Sequence, residues 1–376
     1  MRFIVIFIIA TKNLRHDLCA ASIKRMFPGK ESTMREFTGY KKGVNLGGWL
    51  SQCGAGNYTD ERFNNFITED DFAKIASWGA DHVRVPIDYN VIQNDDGSFI
   101  ESGFAHIDRC IEWCKKYGLK MVLDLHKACG YVFDDKSYCQ FFYNEELQDI
   151  FVRLWQELAR RYAKYSAFVA FELLNEITAK ETAEIWNRIA DRTIRAIREI
   201  SADVRIIIGG YFNSSIEGLL LLDKPADENI VFTFHCYSPM IFTHQSGYWV
   251  ENMPSDYSIA YPGTVDEYRR ESNAVFNKNY DNEFDYEDNL IDSSFFERQF
   301  RTALDVSEKY NVPLYCGEYG VIDKADPESA VKWFADIHAA MEKFNIARAV
   351  WSFKEMDFGL VDEHYDGYLA EIVKYL

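Results

Sequence analysis

The sequence predicts an α/β chain folded as a (β/α)8 TIM barrel. From Gly43 onward, eight short apolar runs alternate with longer amphipathic stretches, the pattern of a parallel sheet with crossover helices. An open doubly wound sheet would carry a glycine-rich phosphate loop after its first strand, and Gly47-Gly48 do not make that fingerprint. Polar residues also gather at the carboxyl end of run after run, where barrels keep their active sites.

The eight runs are residues 43–50, 82–88, 120–126, 168–176, 205–210, 230–237, 313–320 and 347–354. Between them, helical periodicity is clear over 107–117, 146–162, 183–200, 296–310 and 327–344, as in Ile150, Leu154, Leu158 and Tyr162. One spacing is irregular: the stretch from about 238 to 295 far exceeds a normal βα loop. It is dense first in aromatics (Phe242, Tyr248, Trp249, Tyr257, Tyr261, Tyr268) and then in acids (Asp281, Glu283, Asp285, Glu287, Asp288). Following the sixth strand, it is expected to form a small lid subdomain over the catalytic face. Residues 36–376 are read as one catalytic domain. Residues 1–35 are read as an extension or a weak signal segment: Arg2 precedes the apolar run 3–10, which is too short to span a bilayer. Met26 and Met34 are alternative starts.

Of the 376 residues, 48 % are hydrophobic and 16 % aromatic, enough for a large core. The net charge of −18 argues against nucleic acid and against an anionic membrane face as partners. A neutral, hydroxyl-rich substrate is compatible with it, and a monomer is expected. The eight cysteines have no C-x2-C spacing and are expected to be free and buried. No His-x-His marks the first strand, so no metal is expected. Trp49, Trp78, Trp113, Trp155, Trp186 and Trp333 read as packing residues, while Trp249 is a candidate for stacking on a sugar. Asn57 and Asn213 match the N-glycosylation pattern and are read as unmodified; a glycan at Asn213 would obstruct the cleft.

The candidate site residues are Asn45, Arg84, His126, Asn175, Glu176, His235, Tyr237, Glu318 and Trp351. An ionised group on a buried strand is costly unless it is paired or working. Glu176 and Glu318 end strands that face each other across a barrel mouth. Two carboxyls about 5–5.5 Å apart suit retaining glycoside hydrolysis. Glu318 beside Arg84 is expected to stay ionised, as a nucleophile must, and Glu176 to hold its proton next to that negative charge. Tyr237 and His235 would orient both carboxyls, Asn175 would reach a sugar hydroxyl, and Trp351 offers a plane for a pyranose ring.

The segments Gly43-Val44-Asn45-Leu46-Gly47-Gly48-Trp49, His82-Val83-Arg84-Val85-Pro86, Asp124-Leu125-His126, Leu174-Asn175-Glu176, His235-Cys236-Tyr237 and Cys316-Gly317-Glu318-Tyr319-Gly320, with Trp351, together resemble glycoside hydrolase family 5. The clostridial-type endoglucanases are the nearest in look. The resemblance runs over residues 36–376 and implies a cofactor-free (β/α)8 barrel that hydrolyses β-linked glucans with retention. It implies Glu176 as acid/base and Glu318 as nucleophile, with Arg84, His126, Asn175, His235, Tyr237 and Trp351 at the other active-site positions. Lys127 departs from the family pattern, in which a second His or a Gly often follows His126, and Cys129 replaces a usual Pro.

The leading expectation is an endo-β-1,4-glucanase acting on cellulose-type glucans. The alternatives are an exo-β-1,3-glucanase or β-mannanase of the same family, and a non-catalytic glycan-binding barrel. Free cysteines lean to the cytoplasm and a polymeric substrate to secretion.

Overall fold

The computed structural model describes residues 35–54, 56–134, 139–277, 281–284 and 289–376. Residues 1–34, and with them Cys19, the apolar run after Arg2 and both alternative starts, lie outside the described residues. So do Asp285, Glu287 and Asp288.

Eight parallel strands close a barrel in sequence order. They are β1 (Lys42–Asn45), β2 (His82–Asp88), β3 (Lys120–Lys127), β4 (Val169–Glu172), β5 (Arg205–Gly209), β6 (Ile230–His235), β7 (Leu314–Tyr319) and β8 (Ala347–Val350). Closure comes from β1 pairing with both β2 and β8, Val44 standing between Val83 and Val350. The outer helices are α1 (Glu69–Ser77), α2 (Glu101–Tyr117), α3 (Glu145–Tyr162), α4 (Ala183–Arg198), α5 (Val265–Phe276), α6 (Ser293–Tyr310) and α7 (Pro327–Lys343).

Local chemistry sets the helix ends. Asn144 caps α3 by accepting from the Glu146 and Leu147 amides, and Asp326 caps α7 with Pro327 at the first helical position. Gly118 ends α2 with φ +69°, a left-handed turn that costs glycine little. The apolar face of α3 (Ile150, Leu154, Leu158, Tyr162) is buried, as its period of four requires.

Three expected strands end four or five residues before their apolar runs do. β1 stops at Asn45, β4 at Glu172 and β8 at Val350. Beyond these points the chain leaves the sheet to build the mouth. The connection from β5 to β6 holds only short helical turns, at Tyr211–Ser214 and Glu217–Leu221. Between β6 and α6 the long segment carries α5, whose Val265, Tyr268, Val275 and Phe276 join the main core.

Alternation along the strands sorts the barrel interior into layers. On β3, Met121, Leu123 and Leu125 join the apolar core shared with the helices, whereas Val122, Asp124 and His126 belong to the other face. The lowest layer is apolar. Phe37 and Tyr40, stacked at 4.2 Å, pack there with Val122, Ala170, Ile207, Val231, Tyr315, Ala347 and Ala349. Lys120 and Arg205 lie over the Tyr40 and Phe37 rings at the rim of this floor, and the buried carboxylates stand in the layer above. Cys53, Cys110, Cys114, Cys129, Cys236 and Cys316 are free and buried, and Cys139 is free and half-buried.

Candidate active site

Arg84 is fully buried on β2 and organises the middle layer. Its Nε and Nη2 bond Glu172 on β4 at 2.8 and 3.0 Å, and its Nη2 lies 3.0 Å from Asp124 on β3. Its Nη1 bonds Glu318 on β7 at 2.7 Å and Asn45 Oδ1 at 3.0 Å. Burial works against the charge on Arg84, but Asp124, Glu172 and Glu318 outweigh it and hold the guanidinium protonated. Burial raises Asp124 to about 7 and also raises Glu172, in each case against the pull of Arg84.

Asn45 does not reach the cleft. Its Nδ2 donates to the carbonyls of Gly317, Ala349 and Val350, tying β1 to β7 and β8 beneath the site. Arg84 is likewise a support and lines no open surface. The other seven expected residues, His126, Asn175, Glu176, His235, Tyr237, Glu318 and Trp351, all line one cleft of about 600 Å³ at the carboxyl ends of the strands.

Glu176 lies past the end of β4 in a left-handed conformation, φ +42°. A residue with a Cβ adopts this at a cost, so its surroundings must hold it. Tyr131 Oη donates to the Glu176 carbonyl at 2.5 Å. His235 Nδ1 meets Glu176 Oε1 at 2.8 Å, and Asn213 Nδ2 donates to Oε2 at 3.0 Å. Burial raises the Glu176 carboxyl to about 7, with Asn213 and Arg84 pulling it down. Burial, rather than the expected proximity of the Glu318 charge, is therefore the largest influence raising Glu176.

Glu318 receives Arg84 on Oε1 and the Tyr237 hydroxyl on Oε2 at 2.9 Å, while His235 Nδ1 lies 3.6 Å from Oε2. Burial pushes Glu318 upward and His235, Arg84 and Tyr237 oppose it. Arg84, expected to favour the Glu318 carboxylate, shares that task with His235 and Tyr237, against burial and the nearby Glu176. One ligand-type atom each of Glu176, His235 and Glu318 lie within 4.8 Å of one another.

Asn175 accepts from Arg84 Nη2 at 3.0 Å, and its buried Nδ2 has no partner among the described residues. An amide donor left over in the cleft is suited to a ligand hydroxyl. Trp351 lies parallel to the His126 ring at 5.8 Å, and His126 Nδ1 is 2.6 Å from Asp124. Gly47 makes room for the Trp351 indole: a Cβ there would come within 2.7 Å of the ring. Lys127 turns toward Asp134 (3.4 Å) and Asp88 (4.0 Å). The segment after β6 adds Met240, His244, Tyr248, Trp249 and Glu283 to the lining.

Sequence reading missed three groups. Asp124 stood inside a quoted motif but was given no role, and Glu172 was not singled out. Both are charged residues at inward strand positions, two before His126 on one strand and two after Ala170 on the other. Asn213 was noticed only as a glycosylation pattern.

The cellulase (glycosyl hydrolase family 5) profile matches residues 40–357. The chain belongs to glycosyl hydrolase family 5. It is 42 % identical over 316 residues to Cellodextrinase A of Ruminococcus flavefaciens, covering 84 % of this chain and 86 % of the relative. It is 39 % identical over 343 residues to Endoglucanase C of Acetivibrio thermocellus, covering 90 % and 98 %. Among solved structures, Thermotoga maritima Cel5A in complex with cellobiose is similar with a TM-score of 0.71 and 26 % identity, covering 90 % of this chain and 97 % of that one. As a family 5 member the chain is a glycosidase, and its cleft is where a polysaccharide substrate is expected to bind.

Proposed function

We propose that this family 5 hydrolase cuts internal β-1,4 bonds of cellulose-type glucans by double displacement, with Glu318 as nucleophile and Glu176 as acid/base. The observation that supports the mechanism most is the closeness of the two carboxyls, bridged by His235 Nδ1 at 2.8 and 3.6 Å. With an oxygen of each carboxyl within 4.8 Å of the other, the pair fits the short separation of retaining enzymes better than the wider one of inverting enzymes.

In the first step a Glu318 oxygen attacks the anomeric carbon as the Glu176 proton passes to the glycosidic oxygen. The carbon–oxygen bond breaks, and the aglycone leaves as an alcohol. In the second step the Glu176 carboxylate takes a proton from water, which attacks the same carbon. Glu318 departs as a carboxylate, and the configuration is retained. Arg84 and Tyr237 receive the charge that returns to Glu318. Asn175 Nδ2 is the donor for the hydroxyl beside the reacting carbon, and Trp351 is the plane beneath the ring. The segment 238–295 acts as a wall or lid on this cleft, through Tyr248 and Trp249.

Internal cleavage of β-1,4 glucan is favoured by the endoglucanase relative, which aligns over nearly its whole length. A shorter-chain preference is the second reading, because the 42 % relative is named a cellodextrinase. Incubation with cellohexaose, with products and anomers followed over time, tests both. Early cellobiose, cellotriose and cellotetraose as β-anomers support the proposal. Glucose alone from one end would replace it with exo cleavage. A folded protein that leaves cellohexaose intact would move the substrate to β-1,3-glucan or mannan.

A further inference from the structure

Residues 212–214 follow β5 and form an unusual turn. Phe212, Asn213 and Ser214 have φ of +55°, +52° and +53°, three consecutive left-handed residues and none a glycine. Such a run is expensive and persists only where its surroundings over-determine it. The turn is anchored by the Asn213 amide, which donates to the Ile177 carbonyl at 3.0 Å. It places Asn213 Nδ2 3.0 Å from Glu176 Oε2, on the carboxylate oxygen that His235 does not hold.

We propose that Asn213 is a positioning residue for the acid/base, its side-chain amide fixing the Glu176 carboxyl through Oε2 for proton transfer. This rests on the assignment of Glu176 as acid/base. An amide NH2 donates and cannot accept, so it marks Oε2 as an acceptor and favours the carboxylate over the acid. With burial raising Glu176 to about 7, Asn213 is the largest of the opposing influences. The other charged or titratable groups facing Glu176 are Arg84, Asp124, Asp134, Glu172, His235 and Glu318. The phenols of Tyr131 and Tyr237 also lie close to it. Removing the Asn213 side chain leaves all of these in place.

The test compares Asn213→Gly and Asn213→Asp with the parent. Glycine and aspartate both tolerate a left-handed backbone, so either variant loses the amide without a new steric demand. The pH profile of kcat/KM is measured on cellotetraose, whose poor leaving group needs a proton, and on an aryl cellobioside with a leaving group that does not. Melting temperatures are recorded alongside.

Loss of a donor to the carboxylate raises the acid's pKa, so the basic limb moves up, by roughly one pH unit in Asn213→Gly. It moves further in Asn213→Asp, where a like charge is added. On cellotetraose kcat/KM falls about tenfold, and on the aryl substrate much less. A basic limb that stays in place, or an equal loss on both substrates, overturns the proposal and leaves Asn213 a merely structural turn residue. Glu176→Gln is the separate control. If that variant keeps parental activity on cellotetraose, the acid/base assignment itself falls; if it collapses while the Asn213 profiles stay unmoved, only the present proposal falls.

Discussion

Arg84 Nη1 lies 2.7 Å from Glu318 Oε1, and neither side chain has more than a few per cent of its surface in water. In such a place the pair holds the proposed nucleophile and supports the fold together. Arg84→Ala would leave Glu172, Asp124 and Glu318 without their shared cation, so a stability loss of about 3–5 kcal/mol is expected. Activity should be lost as well. Glu318→Gln should keep the fold, measured by circular dichroism, while hydrolysis drops by three orders of magnitude or more. Residual hydrolysis near the parental level would remove Glu318 from the nucleophile's role.

Glu176 gives a pH prediction for stability. Its folded pKa of about 7 lies above the ordinary carboxylate value. The native state therefore prefers the protonated acid, and stability from this group falls as pH rises toward and through 7. Glu176→Gln removes that penalty. The variant should melt above the parent at pH 8, by up to about 3 kcal/mol, with the difference shrinking toward pH 4. Equal melting curves across this range would contradict the raised pKa.

Asn175 Nδ2, a donor without a partner among the described residues, lines the cleft, while Oδ1 accepts from Arg84. Asn175→Asp keeps the acceptor, loses the donor and adds negative charge. A drop in kcat/KM of about a hundredfold is expected on cellotetraose, carried mainly by kcat if the lost bond strengthens in the transition state. A rise in KM alone would show a contact of ground-state binding.

Trp249 and Tyr248 stand at the cleft, 44 % and 86 % exposed. Aromatic faces left in water beside a sugar cleft are suited to stacking on glucosyl units. Trp249→Ala should raise KM for cellohexaose about three- to tenfold and leave cellotriose nearly unaffected. An equal effect on both chain lengths would mean that Trp249 packs the segment and does not bind substrate.

How much of this was legible in the sequence depends on what each residue does locally. The strands were plain because buried parallel strands are continuous apolar runs. Asn175, Glu176 and Glu318 stood out because they end such runs. Asp124 and Glu172 were harder to see: their roles come from the guanidinium of Arg84, which belongs to another strand and has no fixed spacing from them. Asn213 was not readable as a support, since Phe-Asn-Ser has no preference for three left-handed residues in a row. Helix α5 was hidden for a similar reason, its apolar positions being scattered among Glu, Arg and Asn. The upward push on Glu176 comes mainly from burial, which no local pattern encodes, because burial depth is a property of the closed barrel.

The stacked pair Phe37 and Tyr40 closes the floor of the barrel, with the Glu176 and Glu318 carboxyls at the opposite end. The plug precedes the first strand in the chain, yet Phe37 meets Tyr315 of β7 edge-on at 5.6 Å. The apolar floor therefore adds packing at the end of the barrel away from the cleft, apart from the buried charge network around Arg84. A protein engineer could seek heat tolerance by refilling the plug and its seven neighbours without altering how a sugar is held, and could retune the mouth on a chassis whose base is left untouched.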